Sequence, residues 1–460
     1  MRDTVIRGGT LIGESGVSQA DLAIEAGRIH TIGKDLPGAR EEIDARGLHV
    51  FPAVIDVHLH FNEPGRTEWE GAATGSRALA AGGGTLFFDM PLNSTPCTVN
   101  AREFDRKHSA LSAASVTDYA IWGGLVPGSV PEMAEMAARG VVGFKAFLCD
   151  SGLPEFPRAD DLTLLDGLRE AARLGLPIAV HAESHELTQG LTRRMVEQGR
   201  STVRDFLESR PVVAELEAIE RATLLAGEAG AKLHIVHVSS GRGVALAAAA
   251  RERGVDVSIE TCPHYLFFTE DDVERLGAIA KCAPPLRDAR QQAALWSELL
   301  NGSIDIVASD HSPAPPEMKS GDFWQAWGGI AGVQSTLAVL LDQGYRRRAV
   351  PLPRIASLLA ANPAQRFRIP GKGSLVPGAD ADLAIVDLSR RFQLKPEDLK
   401  QRNAMSPYVG AHFLGAIERT IRRGETIFAD GSITAQSRGI LVRPSNNYES
   451  PRPDTQRSPR

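Results

Sequence analysis

The sequence predicts an α/β protein: a (β/α)8 TIM barrel with a smaller β-sandwich domain built from both chain ends. Between Ala53 and about Pro370, short apolar runs alternate with Ala/Leu/Glu-rich stretches, the texture of repeated βα units on a parallel sheet. Eight such runs can be counted, the number a closed barrel needs. Both chain ends instead alternate apolar and polar positions between glycine turns, as antiparallel strands do.

Taken in order, residues 1–52 supply the first part of the small domain; DLAIEAGRIHTIG has period two, and Glu25 to Arg28 reads as its hairpin turn. The barrel occupies residues 53–370. Its strands are AVIDVHLHF, TLFFDMP, TDYAIWGG, VVGFKAFL, PIAVHAE, KLHIVHVSS, VDVSIETCPHYL and IDIVASDHSP. Helices fall between them in GAATGSRALAAGG, AELEAIERATLLAGEAG and RGVALAAAARERG. The small domain resumes over residues 371–442, in GKGSLVPGADADLAIVD and the TIRRGETIFADGSI hairpin, so the barrel is inserted between its halves. A doubly wound open sheet is the alternative, but no G-x-G-x-x-G turn follows the first strand. Residues 443–460, ending in SNNYESPRPDTQRSPR, are too polar and too rich in Pro and Ser to bury a core, and are expected to be a flexible tail.

Composition narrows the partners. Lys plus Arg total 51 against 57 Asp plus Glu, and this mild acidity argues against nucleic acid or an anionic membrane and for a small-molecule substrate. Cys97, Cys149, Cys262 and Cys282 are far apart with no C-x-x-C pair, so they are expected to be reduced. The opening MRDTVIRGGTLIGESG lacks the apolar core of a secretion signal, and no apolar run reaches membrane-spanning length, so a cytoplasmic location is expected.

Polar residues punctuate the ends of the predicted strands: His58 and His60 in IDVHLHF, Lys145 in GFKAF, His181 in AVHAE, His237 in IVHVS and Asp310 in ASDHSP. A parallel barrel converges such positions on one spot. His58 and His60, two apart on a strand, share a face and suit one metal ion. His181 and His237 suit a second, because imidazole nitrogen is a common ligand of zinc and similar divalent ions. His234, three positions before His237, is expected on the opposite face as a core histidine. Lys145 is the unusual member, since an ammonium has no lone pair to offer a cation. If its neutral amine captures carbon dioxide it becomes a carbamate, able to bridge two metals about 3.5 to 4 Å apart; the alternative is an ion pair to a buried carboxylate such as Asp150. Asp310 can ligate one metal and accept a proton from water, which makes it the candidate catalytic base. Metal binding lowers the pKa of water from about 15.7 to about 7, supplying a hydroxide nucleophile at neutral pH. His311, Asp56, His264 and Glu183 lie close to these motifs and are read mainly as loop-holding groups.

With these residues placed, the chain resembles the cyclic amidohydrolases, a group that includes allantoinases, hydantoinases, dihydropyrimidinases and dihydroorotases. The resemblance runs from about residue 1 to 440. HLHFNEPGRTEWEG, DMPLNSTP, GFKAFLCDSGLPEF, ETCPHYL, KCAPPLR and SDHSPAPPEMKSGDFWQAWGGIAGVQ look like allantoinase segments. Dihydroorotases have an arginine for the substrate carboxylate where this chain has Asn62. Hydantoinases and dihydropyrimidinases have a tyrosine after the lysine strand, and here none lies between Lys145 and His181; their serine before a Pro-Pro pair is Ala283.

The resemblance therefore implies hydrolysis of the ring amide of allantoin to allantoate, on two divalent metal ions: zinc, or manganese, cobalt or iron. Lys145 as carbamate would bridge them, His58, His60 and Asp310 would hold the more buried ion, and His181 and His237 the more exposed one. Asp310 would pass the proton to the leaving nitrogen. Asn93, Ser151, Asn62 and Arg66 are the candidate substrate contacts. Asn93 could meet the ureido arm and Arg66 a substrate carbonyl, against a simple ion pair of Arg66 to Glu63 or Glu68. Trp324 and Trp327 could close over the site or, equally, pack between subunits. The family often forms homotetramers or dimers. A dihydroorotase or hydantoinase specificity is the enzyme alternative, and a non-catalytic scaffold, which would have lost metal ligands, the alternative of another class.

Overall fold

In the computed structural model, which describes residues 3–14, 16–436 and 438–445, eight parallel strands form a ring. They are β1 (Val54–Leu59), β2 (Gly84–Asp89), β3 (Asp118–Ile121, continued as Gly123–Gly124), β4 (Phe144–Phe147), β5 (Ile178–His181), β6 (Leu233–Ile235), β7 (Val257–Thr261) and β8 (Ile306–Val307). Each pairs in parallel with the next. A parallel bridge between Leu59 and His311, with His60 N–H donating to the His311 carbonyl at 2.8 Å, closes β8 onto β1. One apolar cluster joins Ile55, Leu86, Trp122, Ala179, Val236 and Ile306 from around the whole ring, which only side chains converging on the barrel axis can do. The expected helices appear as Ala72–Ala81, Val212–Ala229 and Gly241–Glu252.

The small domain forms as one hydrogen-bonded sheet of nine strands among the described residues. Its halves meet where His49–Pro52 pairs antiparallel with the start of Leu383–Gln393, so both chain ends share one apolar core around Ile6, Leu22, Ile24 and Ile385. The Glu25–Arg28 turn forms as read: Ala26 (φ 48°) and Gly27 (φ 75°) are both left-handed, as a two-residue hairpin matching strand twist requires. Lys372 locks the domain to the barrel, donating to Asp382 at 2.6 Å and to Asp118 of β3 at 2.9 Å.

Residues 439–445 return to the barrel. Tyr119 N–H donates to the Ile440 carbonyl at 3.0 Å and Val442 N–H to the Tyr119 carbonyl at 2.7 Å, an extra parallel bridge against β3. Arg443 and Ser445, the start of the expected tail, bond to the backbone of Arg139 and Arg368. The rest of that tail, 446–460, lies outside the described residues.

Candidate active site

At the C-terminal ends of the barrel strands, His58, His60, His181, His237 and Asp310 line one cavity of about 370 Å³. Asp310 Oδ1 stands 3.3 Å from His58 Nε2 and 3.5 Å from His60 Nε2. His181 Nδ1 lies 3.1 Å from His237 Nε2. The two expected halves abut: ligand atoms of His58, His237 and Asp310 all fall within 4.8 Å of one another. Lys145, on β4, is fully buried and close enough to feel the Asp310 charge and to act on the three rings of His58, His181 and His237.

Two buried carboxylates decide which nitrogens face the cavity. Glu260, on β7, accepts from His58 Nδ1 at 2.8 Å. A carboxylate at this depth is an acceptor, so the proton sits on Nδ1 and the Nε2 lone pair is left for the site. Glu183 does the same for His181, taking its Nε2–H at 2.8 Å and leaving Nδ1 toward His237. Burial alone would raise both carboxyls, but Arg210, 2.6 Å from Glu183, and the His58 and His234 rings beside Glu260 hold them down to about 2. Burial in turn lowers the pKa of His58, His181 and His237, favouring the neutral form that carries a lone pair. Asp310 is half-buried, and His58 and His60 hold it well below the usual carboxylate range.

These groups fit a pair of divalent ions. Lys145 Nζ has no hydrogen-bond partner although it is fully buried. Burial pushes it down to about 8, within reach of a neutral amine near physiological pH. Asp150, the alternative partner read from the sequence, instead accepts from Gln189 Nε2 at 3.2 Å and Gly152 N–H at 3.0 Å. His60 Nδ1 is also without a partner. Neutral imidazoles, a carboxylate and an orphaned amine around one cavity are a donor set for zinc-like ions. A second cluster, Cys149 with His181 and Glu183, does not extend it: burial pushes the thiol up to about 12, and the Arg210 guanidinium already occupies the Glu183 carboxylate.

The candidate substrate contacts divide. Asn93 lines the cavity in a left-handed backbone (φ 67°), its amide 3.3 Å from Ser312 Oγ. Ser151 lines it as well, but its hydroxyl donates to the Phe156 carbonyl at 2.6 Å and holds its own loop. Asn62 is buried and turned to the Pro313 carbonyl at 3.4 Å, away from the cavity lining. Arg66 pairs with neither Glu63 nor Glu68: it spans to the Asn93 carbonyl at 3.2 Å and to Glu155 at 2.5 Å, while Glu63 caps Ala72 N–H. It thereby ties the loop after β1 to those after β2 and β4. His234, expected on the opposite face, faces the same interior, with Nε2 3.1 Å from Glu260 Oε2 and its ring stacked on Trp122. His311 is structural as read, accepting Gly332 N–H on Nδ1 at 3.1 Å.

Glu260, Arg210 and Lys281 surround the site without having been singled out. Glu260 carried one signal, the lone carboxylate inside the VSIET strand. Arg210 and Lys281 lie in loops with no periodicity to place them.

Residues 49–427 match the amidohydrolase family. The chain belongs to that family. This amidohydrolase is 64% identical over 448 residues to the allantoinase of Solibacter usitatus (strain Ellin6076), spanning 97% of this chain and 98% of the relative. It is 57% identical to that of Rubrobacter xylanophilus (96% and 98% covered) and 42% identical to that of Escherichia coli K12 (93% and 95%). Among solved structures, the L-hydantoinase (dihydropyrimidinase) of Arthrobacter aurescens superposes with a TM-score of 0.94 at 34% identity, covering 96% of this chain and 100% of that one.

Proposed function

We infer that this amidohydrolase is an allantoinase, hydrolysing the hydantoin ring amide of allantoin to give allantoate, with two divalent metal ions at the mouth of its barrel. One observation carries the specificity: allantoinases match at 42% to 64% identity over more than nine-tenths of both chains. The hydantoinase structure shares the fold, but the chain lacks the tyrosine and the serine that mark that specificity, and Asn62 stands where a dihydroorotase needs its arginine.

In this reading His58, His60 and Asp310 would hold one ion and His181 and His237 the other, with Lys145, as a carbamate, supplying an anionic ligand to both. The Lys145 nitrogen bonds to carbon dioxide and loses a proton; its burial supplies the neutral amine that this needs. When bound, the ions, zinc in the simplest case, would supply a Lewis acid for the scissile carbonyl and an acidified water. Glu260 and Glu183 keep the imidazole lone pairs aimed inward. Asp310, held ionised by its histidines, receives the proton of the attacking water and returns it to the ring nitrogen as the C–N bond breaks. Asn93 is placed to meet the ureido arm. Phe147, Trp324 and Trp327 wall the cavity and limit water.

The four cysteines are free and buried, and no helix among the described residues is long and apolar enough to cross a membrane; we read the setting as cytoplasmic. A homo-oligomer, dimer or tetramer, is the family expectation that light scattering checks. The test of function is a panel of allantoin, dihydroorotate, hydantoin and dihydrouracil on metal-loaded protein, with a chelator control. Allantoin is to be preferred and the chelator to abolish turnover. Equal use of dihydroorotate refutes the specificity, and a protein that neither holds metal nor turns over any of the four is a scaffold.

A further inference from the structure

Part of the cavity wall comes from a long loop after β8, and two lysines, Lys281 buried and Lys319 half-buried, hold it. Its residues 313–329 contain only one short 3-10 turn, Pro316–Lys319, yet they place Trp324, Ala326 and Trp327 on the cavity. A chain with so little regular structure leaves its carbonyls in need of donors. Lys281 Nζ donates to the carbonyls of Phe323 (2.6 Å), Trp324 (3.2 Å) and Ala326 (2.6 Å). Lys319 Nζ donates to those of Ala278 (3.2 Å), Trp327 (2.9 Å) and Gly329 (2.5 Å). Each ammonium thus spends all three of its donors on backbone.

Neither lysine is in an ion pair with a carboxylate among the described residues, although Lys281 is only 5% exposed. Instead its charge lies 4.8 Å from the Phe206 ring centroid and 5.1 Å from that of Phe323, the geometry of cation–π contacts. The two lysines also cross-link the same pair of loops from opposite sides. Lys281 reaches from the loop after β7 to the Trp loop, and Lys319 reaches back to Ala278; Gly329 N–H to the Lys281 carbonyl at 2.8 Å completes the seam. Trp324 is fastened further by Nε1–H to the Arg200 carbonyl at 2.9 Å.

We propose that Lys281 and Lys319 are positioning residues that hold the Trp324–Trp327 segment as the substrate-facing wall, setting how well substrate binds and leaving the bond-breaking step alone. This rests on the reading that the cavity takes a cyclic amide. Losing wall contacts that are the same in ground and transition states raises KM at unchanged kcat.

The experiment compares Lys281→Met and Lys319→Met with the parent metal-loaded enzyme, using allantoin kinetics, metal analysis and chymotryptic digestion at Phe323, Trp324 and Trp327. Both variants are to raise KM by roughly tenfold with kcat within about threefold, keep their metal, and be cut in the loop faster than the parent. An unchanged KM, a fall in kcat alone, or loss of metal overturns the proposal. Should either Met variant fail to fold, the Gln variants Lys281→Gln and Lys319→Gln, which keep two donors, are to show the same pattern in smaller measure, and their parent-like KM overturns it too. If the parent itself does not turn over allantoin, the functional reading has failed independently. The digestion then judges the wall, and parent-like cleavage refutes it.

Discussion

Replacing Glu260 by Gln is expected to weaken divalent-metal binding by about 10- to 100-fold while leaving the barrel folded. In the parent, Oε1 accepts from His58 Nδ1 at 2.8 Å and from His237 N–H at 3.1 Å, and Oε2 lies 3.1 Å from His234 Nε2. Gln keeps an oxygen for the first two. Its amide nitrogen meets His234 Nε2, which can accept because Nδ1 is free to donate to Ser258 Oγ, 2.8 Å away. Every buried polar group therefore keeps a partner, and the desolvation penalty that usually follows such a change is avoided. What disappears is the negative charge behind His58, the group that makes its Nε2 a stronger donor to a cation. A 10- to 100-fold loss corresponds to about 1.4 to 2.7 kcal/mol. Dialysis against graded chelator, followed by metal analysis, measures it. Thermal melting of the chelated proteins reports whether the barrel itself has suffered. A chelator midpoint identical to the parent's refutes the reasoning. So does a metal-free variant that is already unfolded, because Glu260 would then act by holding the barrel and not through His58.

Lys145→Ala is to lose most of its metal and activity, and a short carboxylic acid added to the buffer is to restore part of both; two fully occupied ions without such an acid dispose of the carbamate. Asp310→Asn is to lower kcat by roughly 10² to 10⁴-fold, the range of general acid–base groups, with a much smaller change in KM; near-parental turnover moves the proton to another group. Asn62→Arg is not to create dihydroorotate hydrolysis, because Asn62 faces the Pro313 carbonyl and does not line the cavity; side-by-side kinetics on both substrates check this, and a gain on dihydroorotate shows that the position reaches substrate. Folded Glu183 and Glu260 sit near 2, below their ordinary 4.5, so the unfolded chain binds the extra protons: their stabilisation is complete above about pH 4.5 and lost as pH falls toward 2. Melting of metal-free protein from pH 6 to 3 should show the decline, and a flat profile contradicts these pairings.

Most of the architecture was legible because the barrel writes itself in a repeating texture. Each of the eight apolar runs became a strand, and the turn at Ala26-Gly27 formed where glycine permits it. The candidate ligands were legible for the same reason: a polar residue at the end of a buried parallel strand has few places to go except the mouth. What could not be read was anything fixed by contact between distant loops. Arg66 chooses Glu155, 89 positions away, over the neighbouring Glu63 and Glu68, because the loop after β4 folds against it. Lys281 reads as an ordinary loop cation until the carbonyls 42 to 45 positions later close around it. Asn62 was placed beside the substrate because dihydroorotases have an arginine at that position, but its left-handed backbone (φ 62°) turns it into the wall.

That backbone conformation explains the spacing of the histidines as well. In a regular strand His234 and His237, three apart, would point to opposite faces. They share one interior because β6 stops at Ile235 and His237 adopts φ 40°, a region that side chains other than glycine and asparagine rarely enter. Asp310 (φ 43°) and Asn93 (φ 67°) do the same at the ends of β8 and β2. Each such residue costs on the order of 1 kcal/mol or more, and persists only where surrounding contacts over-determine it. Here the contacts are visible: Glu260 takes the His237 N–H, and Ser312 holds the Asn93 amide. A barrel strand left straight would present alternate residues to the interior and the outer helices. Breaking the strand with a left-handed residue lets the last polar side chain lean over the rim, where groups from other strands can meet it. The strain is therefore local to the residues that converge, and Glu260, which offsets it at His237, is one of the two carboxylates that set the imidazole tautomers. Geometry and protonation at this site thus depend on one small set of buried groups, so Glu260 stands to affect both, although it does not line the cavity.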